Sequence, residues 1–313
     1  MKVLHYSNRD EGEFDFIKSR LDEGIDIVHI APAEKDEAIE RAAEFDVIVG
    51  ARIPREFLEK ATNLKYFVIP FVGIAPQDLP NLIEFPHLTV MNSHFNTVYV
   101  AEHAWGLLIA SAKRLVASHE KMKVGDWTPR YEHKLSAEIS GKTLLIIGYG
   151  SIGSEIARIA RVFNMRIFAI KRTEGKAEGV DFLGTRENLN SVLPEADFIM
   201  LCLPGTKETD GMIGENEFNL MKEGVHIVNV GRGPVIDEKA LYDALKSGKV
   251  AGAALDAWWI YPKTEEARKM TFPANVRLDE FENVIFSPHR ASHVEGREEV
   301  RMKDLAALLN SIK

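Results

Sequence analysis

Three polar residues stand at the ends of apolar runs that read as buried strands. Arg232 comes just after HIVNV, Asp256 follows AGAAL, and His289 follows VIFSP. The carboxyl ends of parallel strands form one edge of a sheet, and α/β proteins bind their ligands outside that edge. A guanidinium can hold a carboxylate or polarise a carbonyl, and a histidine can protonate a nascent alkoxide. With a bound hydride donor, Arg232 and His289 therefore predict the reduction of a 2-oxo acid.

Each of these residues, taken alone, also has an ordinary structural interpretation. Arg232 could be a salt-bridge partner, Asp256 a helix cap and His289 a polar loop residue. Their placement at the ends of successive predicted strands favours the catalytic interpretation.

A glycine loop offers a place for the hydride donor. GYGSIG, residues 148–153, follows the apolar run TLLIIG and opens the helical pattern SEIARIARVF. The first glycine permits a tight turn, the second lets a pyrophosphate approach the backbone, and the third lets the helix pack on the strand. The pattern predicts a dinucleotide site at this loop and the neighbouring strand ends. The residues expected to contact the dinucleotide are Gly148, Gly150, Ser151, Ile152, Gly153, Lys171, Arg172, Thr173, Pro204, Val230, Gly231, Asp256 and His289.

The end of the next apolar run bears on the choice of dinucleotide. MRIFAI is followed by Lys171 and Arg172, where an enzyme that uses NAD usually has an acidic residue for the ribose hydroxyl. Cations attract a 2′-phosphate, and arginine can bind it with two hydrogen bonds. We therefore expect NADP as the cofactor, with NAD as the alternative; two solvated basic residues that merely end a strand would also fit.

The elements that must position these residues alternate along nearly the whole chain. Short runs rich in Val, Ile and Leu are separated by charged helical patterns, which predicts parallel sheets with helices on both faces. A length of 313 residues favours two domains. The segment from Asn96 to Leu115 is apolar nearly all round and predicts a buried helix, either in the core or at a subunit contact.

Composition narrows the class of protein. The net charge of −8 and the pI near 5.8 argue against nucleic acid or an anionic membrane as the main partner. The N-terminus has no signal-peptide pattern, and no apolar run reaches the roughly 20 residues that span a bilayer, so a cytoplasmic protein is expected. The single cysteine, Cys202, lies in an apolar run and is interpreted as a core residue. His293 follows His289 by four residues without a third ligand nearby, so no metal is expected.

Four segments, in this order and spacing, resemble the D-isomer-specific 2-hydroxyacid dehydrogenase family: GKTLLIIGYGSIG, VNVGRGPVIDEKALYDAL, GAALDAW and NVIFSPH. The similarity covers most of residues 96–300. It is weaker before them, where LKYFVIPFVG looks like the loop that binds the substrate carboxylate. The resemblance implies that Arg232 is the substrate arginine, that His289 is the acid and base, and that Val72 and Gly73 bind substrate.

The same resemblance implies an organisation for the chain. It implies two doubly wound α/β domains, Rossmann-like or flavodoxin-like, with a cleft between them. We expect a discontinuous substrate domain of residues 1–92 plus 290–313 and a dinucleotide-binding domain of residues 93–289. The family is also commonly dimeric across the long helix, so a homodimer is expected.

The chain departs from the family pattern at two positions. The family usually has Glu before the proline of this segment, paired with the catalytic histidine, whereas this chain has Tyr261 before Pro262. A carboxylate raises a histidine pKa by about 1–3 units, and tyrosine is neutral until about pH 10. Tyr261 is therefore expected to act with His289 without supplying a charge, unless Glu265 or Glu266 takes the carboxylate's place. Phe71 replaces a small residue before Gly73, which predicts a smaller or more apolar pocket.

Three functions remain open at this point. The first is an NADP-preferring reductase of a small 2-oxo acid such as glyoxylate or hydroxypyruvate. The second is a dehydrogenase of an atypical substrate, in the manner of formate oxidation. The third is a dinucleotide-sensing protein with little turnover, which the loss of the glutamate favours and the retention of Arg232 and His289 opposes.

Overall fold

A computed structural model describes residues 1–8, 11–74 and 77–312 of the chain. The chain divides into two compact units, one of residues 1–96 with 294–313 and one of residues 97–293. The chain passes from the first unit to the second after residue 96 and returns after residue 293. The domain bounds expected from the sequence are residues 92 and 289, four residues earlier in each case.

The first unit is built on a parallel sheet with the strand order β2-β1-β3-β4-β5. This is the order of flavodoxin-like doubly wound folds, in which the first strand lies inside the sheet and the chain winds outward in both directions. The strands coincide with short apolar runs of the sequence: β1 Lys2–Tyr6, β2 Asp26–Ile30, β3 Val47–Gly50, β4 Tyr66–Ile69 and β5 Thr89–Asn92.

Helices cover both faces of this sheet: α1 Glu11–Lys18, α2 Lys35–Glu40, α3 Arg55–Lys60, α4 Asp78–Glu84 and α12 Arg297–Asn310. Alternate residues of β3 point to opposite faces, as the two-residue period of a strand requires. Val47 and Val49 share a core with Leu305 of α12, and Ile48 shares the other core with Phe57 of α3. The C-terminal helix therefore completes the first unit.

The second unit contains a parallel sheet with the strand order β12-β11-β10-β9-β6-β7-β8. Counted from β6, this is the Rossmann order 3-2-1-4-5-6 with one further strand, and the order reverses between β6 and β9. The strands are β6 Thr143–Ile147, β7 Arg166–Ile170, β8 Phe182–Gly184, β9 Phe198–Leu201, β10 Val225–Asn229, β11 Val250–Leu255 and β12 Val284–Phe286. Both sheets are parallel and doubly wound, so the predicted fold class of the two domains is confirmed.

The helices of the second unit are α5 Thr97–Ala112, α6 Leu115–Lys123, α7 Thr128–Tyr131, α8 Ser151–Ala160, α9 Leu189–Val192, α10 Glu215–Leu220 and α11 Glu238–Ser247. Buried residues of α5, including Leu108, share a core with Leu144 and Ile146 of β6. The long predicted helix is interrupted because Arg114 has a φ of 54°, a left-handed conformation that ends α5 before α6 begins.

No helix in the described part of the chain has both the length and the apolar content needed to cross a membrane.

Candidate active site

The rings of His289 and Tyr261 form the centre of the candidate site. His289 lies just after β12, and Tyr261 lies in the loop that follows β11. The Tyr261 hydroxyl oxygen is 2.6 Å from Nδ1 of His289. Tyr261 thus contacts the histidine from the position where the family pattern has a carboxylate.

A backbone group fixes the orientation of the Tyr261 hydroxyl. The backbone N–H of Trp258 donates to the hydroxyl oxygen at 3.1 Å. Because a hydroxyl oxygen has a second lone pair as well as its own hydrogen, it can donate to a bare Nδ1 of His289 or accept from an Nδ1 that carries a hydrogen. Tyr261 can therefore stay hydrogen-bonded to Nδ1 in both the neutral and the protonated histidine.

The charges around His289 favour its neutral form. Burial lowers the pKa of His289 below its usual value, Arg232 and His293 lower it further, and the Asp256 carboxylate opposes them. Burial also raises the pKa of Tyr261. The tyrosine therefore remains a neutral partner near neutral pH. The comparison with a glutamate-bearing relative stays a prediction.

The two glutamates that could have replaced the missing carboxylate do not provide the observed contact. Glu265 forms an ion pair with Arg268 at 2.7 Å. Glu266 begins an exposed turn, Glu266–Lys269. In the structure, the partner at Nδ1 of His289 is Tyr261.

A buried carboxylate holds the backbone on the C-terminal side of His289. Asp256, only 2% exposed, accepts from the backbone N–H groups of Arg290 at 2.9 Å and Ala291 at 3.1 Å. His289 itself has a φ of 52°, a conformation that non-glycine residues rarely adopt and that surrounding contacts must maintain. Asp256 supplies two of those contacts.

Arg232 is carried by a tightly packed turn after β10. The buried side chain of Asn229 accepts from the N–H of Gly231 at 3.0 Å and donates to the carbonyl oxygen of Arg232 at 2.9 Å. A Cβ on Gly233 would lie 2.2 Å from the backbone carbonyl carbon of Trp258, so this position requires glycine. The turn leaves the Arg232 side chain exposed, with a charge that acts on both His289 and Tyr261.

The three glycines of the loop at residues 148–153 have different surroundings. Gly148 has a φ of 105°, and a Cβ there would lie 2.9 Å from the backbone of Cys202. A Cβ on Gly153 would lie 2.4 Å from the carbonyl oxygen of Gly148, whereas one on Gly150 would meet no atom within 4 Å. Gly150 is also the N-cap of α8. The loop therefore combines two steric constraints with one open backbone position, which fits a dinucleotide pyrophosphate.

The basic residues after β7 are adjacent to this loop. The backbone N–H groups of Gly148 and Tyr149 donate to the carbonyl oxygen of Ile170, at 2.9 and 3.0 Å. Lys171 and Arg172 follow Ile170 directly, and Arg172 is exposed. The structure thus places the phosphate loop and the predicted 2′-phosphate residues side by side.

The model of the "D-isomer specific 2-hydroxyacid dehydrogenase, NAD binding domain" matches residues 105–291. The chain belongs to the D-isomer-specific 2-hydroxyacid dehydrogenase family. Its second unit contains the family's NAD-binding domain, and the resemblance inferred from the sequence is confirmed.

Individual relatives agree with this assignment. The chain is 32% identical to a D-3-phosphoglycerate dehydrogenase of Archaeoglobus fulgidus over 93% of this chain and 53% of that protein. It is 35% identical to a glyoxylate reductase of Pyrococcus furiosus over 82% of this chain and 76% of that protein. The chain spans about half the length of the phosphoglycerate dehydrogenases that it matches.

A solved structure supports the same family fold over nearly the full length. It is an NADPH-dependent glyoxylate/hydroxypyruvate reductase of Sinorhizobium meliloti in complex with NADP and malonate. The TM-score is 0.68 and the identity 26%, and the match covers 97% of this chain and 91% of the other.

The remaining predicted dinucleotide residues lie at the strand ends of the family's NAD-binding domain. Pro204 is exposed after β9, and its carbonyl oxygen accepts from the Thr209 hydroxyl at 2.7 Å. Val230 lies between β10 and Gly231 and donates its N–H to Leu201 at 3.1 Å. Their contacts with a dinucleotide, like those of Ser151, Ile152 and Thr173, stay predictions.

The predicted substrate loop lies in the first unit, after β4. The carbonyl oxygen of Val72 accepts from the Asn92 side chain at 2.9 Å, and Gly73 is exposed. Phe71 beside them is also exposed. The binding of substrate by Val72 and Gly73 stays a prediction.

Cys202 has the surroundings of a packing residue. Burial raises the pKa of its thiol to about 12, so the nucleophilic thiolate is scarce at neutral pH. Within the described part of the chain, no group of three or more His, Cys, Asp or Glu residues could hold a metal ion.

Sequence reasoning missed three residues that support the site: His103, Asn229 and Ser287. Each lies in or beside an apolar run, where it looked like part of a buried element. The available signal was a polar side chain inside an otherwise apolar pattern, since buried polar groups require hydrogen-bond partners. The pattern does not identify those partners.

Proposed function

We propose that this chain reduces a small 2-oxo acid to the D-2-hydroxy acid, with a nicotinamide dinucleotide as the hydride source. The observation that carries the proposal is the contact of His289 with Tyr261 beside the charge of Arg232. Membership of a dehydrogenase family and the glycine loop support the same chemistry.

In this mechanism each residue has a separate task. A nicotinamide dinucleotide, held by the glycine loop at residues 148–153 and the neighbouring strand ends, would supply the hydride for C2 of the acid. Arg232 binds the carboxylate and polarises the carbonyl, and protonated His289 delivers its proton to the carbonyl oxygen. The Tyr261 hydroxyl holds the imidazole by Nδ1, so that Nε2 carries the transferred proton. The neutral histidine left after reduction is the form that the surroundings favour.

The size of the substrate is inferred from relatives. Glyoxylate reductases and a hydroxypyruvate reductase of Thermotoga maritima are similar to this chain at 33–35% identity over 82% or more of its length. These named substrates are small 2-oxo acids. We infer glyoxylate or hydroxypyruvate as the first candidates.

The experiment is an assay of NADPH and NADH oxidation against a panel of small 2-oxo acids, with chiral analysis of the product. We expect one or two acids to drive oxidation and give the D-product. Arg232→Ala should lower kcat/KM by about 100-fold or more, and Arg232→Lys by less, because a single ammonium retains the charge. Turnover of formate alone would replace this proposal with the atypical dehydrogenase. Tight dinucleotide binding without any turnover would favour the sensor.

NADP is the cofactor that we propose, on the strength of Lys171 and Arg172 after β7. The NADP complex of the Sinorhizobium meliloti reductase supports this choice for a related protein. In a Lys171→Ala, Arg172→Ala variant, the KM for NADPH should rise about tenfold or more, with little change in the KM for NADH. Lys176→Ala is a matched control in the same exposed segment. Equal losses for the two cofactors would contradict the assignment.

We also propose a cytoplasmic homodimer. Exposed apolar side chains lie on α6, on α7 and in the loops beside them: Leu115, Val124, Trp127, Tyr131 and Leu135. Such an apolar surface is typical of an interface. Light scattering should give twice the 35.1 kDa chain mass, and Trp127→Glu should shift the protein toward the monomer. A monomeric wild-type protein would contradict the dimer.

A further inference from the structure

A second histidine of the NAD-binding domain lies close to the buried carboxylate of the site. His103, on α5, places its Nε2 2.9 Å from the Ser287 hydroxyl oxygen and 3.5 Å from Oδ1 of Asp256. Ser287 and Asp256 are buried, and the His103 side chain is 29% exposed. The proposed mechanism gives none of its steps to His103.

The direction of the hydrogen bonds follows from the number of protons. The Ser287 hydroxyl has one hydrogen, which it donates to Oδ1 of Asp256. The Ser287 oxygen must therefore accept at its contact with His103, and Nε2 of His103 must carry a hydrogen. His103 is thus a donor in the chain His103 to Ser287 to Asp256.

Ser287 is the residue through which this chain reaches His289. Its carbonyl oxygen accepts from the indole N–H of Trp258 at 2.7 Å and from the backbone N–H of His289 at 3.0 Å. Asp256, at the end of the chain, holds the N–H groups of Arg290 and Ala291. Contacts that begin at His103 therefore reach the backbone on both sides of His289, whose left-handed conformation needs such support.

We propose that His103 is a positioning residue for the reaction. Its Nε2 hydrogen fixes the Ser287 hydroxyl, and Ser287 and Asp256 together hold the loop that presents the imidazole of His289. The requirement is a hydrogen-bond donor at this point of α5, and the charge of His103 is not needed. This inference rests on the proposed function for its effect on rate, but its hydrogen-bond geometry is independent of it.

The test compares His103→Leu with His103→Gln. Glutamine places an N–H donor near the position of Nε2, whereas leucine fills the space without a donor. In His103→Leu, kcat should fall about 10- to 100-fold, because the imidazole of His289 is less well oriented. The KM for NADPH should stay within about twofold of the wild-type value. His103→Gln should recover most of the rate. His87→Leu, an exposed histidine of the first unit, is the control.

Ser287→Ala keeps the proposal testable if His103→Leu folds poorly. This variant should lose rate on its own, and where His103→Leu folds, adding it to Ser287→Ala should cause no further loss. Equal rates in wild type and a folded His103→Leu, or equal losses in His103→Leu and His103→Gln, would overturn the proposal. So would a full additional loss in the double variant.

A spectroscopic measurement separates this inference from the function itself. Long-range nitrogen–proton NMR correlations of the histidine rings should show a hydrogen on Nε2 of His103, with the Nε2 signal shifted by Ser287→Ala. The opposite tautomer would overturn the proposed contact even in an active enzyme. The expected tautomer in a protein that reduces no 2-oxo acid would instead leave the contact in place and remove the proposed function.

Discussion

At the scale of single residues, Tyr261 gives His289 a hydrogen bond without a negative charge. Replacing it with glutamate should restore the charge of the usual family pair and raise the pKa of His289 by about 1–3 units. Reduction requires the protonated histidine, and its rate falls as the pH rises through this pKa. Tyr261→Glu should therefore extend reduction to higher pH, measured as kcat/KM from about pH 5 to about pH 8.

Tyr261→Phe is the control for the loss of the hydroxyl alone. It leaves Nδ1 of His289 and the N–H of Trp258 without their shared partner. We expect a loss of about tenfold in kcat, since the imidazole is less firmly oriented, and no move of the profile to higher pH. Superimposable profiles for wild type and Tyr261→Glu would contradict the role given to Tyr261.

At the scale of elements, the glycine loop offers two substitutions with opposite consequences. Gly150→Ala meets no atom within 4 Å, so it should cost at most about 1 kcal/mol through the helix cap while blocking the approach of the pyrophosphate. The Kd for NADPH should rise about tenfold or more with a nearly unchanged Tm. In Gly153→Ala the new methyl group would clash with the carbonyl oxygen of Gly148. This variant should lose about 1–3 kcal/mol of unfolding free energy and have a lower Tm. Dinucleotide titration and calorimetry distinguish them, and an unchanged Kd in Gly150→Ala would contradict the placement of the cofactor.

The elements also mark how far the sequence predicts this structure. Apolar runs and the glycine loop predicted most strands and both doubly wound sheets, because a strand buried on both faces consists almost entirely of apolar residues. The three-residue β8 carried too short a pattern to be predicted. The break at Arg114 was missed because a left-handed arginine is set by its surroundings, in a segment whose apolar pattern continues across it. Within the site, strand ends and the family pattern pointed to Arg232, His289 and Tyr261, whereas the tertiary partners of His103 and Ser287 required coordinates.

At the scale of the whole molecule, a buried histidine of the second unit limits acid stability. His226, in β10, contacts the Ser111 hydroxyl through Nδ1 at 3.0 Å, and burial lowers its pKa to about 4. Unfolded histidine has a pKa of about 6.5, so the unfolded chain binds the proton more readily. The full contribution of neutral His226 to the free energy of unfolding is present above about pH 6.5. It decreases as the pH falls toward about 4, by up to about 3 kcal/mol in total.

Urea unfolding at several pH values measures this effect. The four tryptophans, at positions 105, 127, 258 and 259, all lie in the second unit, so their fluorescence reports its unfolding. The double variant Ser111→Ala, His226→Phe should lose less unfolding free energy at low pH than the wild type does. His87→Leu, which replaces an exposed histidine, should lose as much as the wild type. A loss of the same size in the double variant would assign the pH dependence to other groups.

The central claim is that His289, held by a neutral tyrosine, protonates a 2-oxo acid as a nicotinamide dinucleotide reduces it. The most direct measurement is the rate of NADPH oxidation with glyoxylate or hydroxypyruvate, in wild type and His289→Ala, from about pH 5 to about pH 8. We predict oxidation that depends on the acid, increases toward low pH and falls by about 100-fold or more in His289→Ala. Substrate-dependent oxidation that persists in His289→Ala, or no oxidation in a wild-type protein that binds NADPH, would contradict the claim.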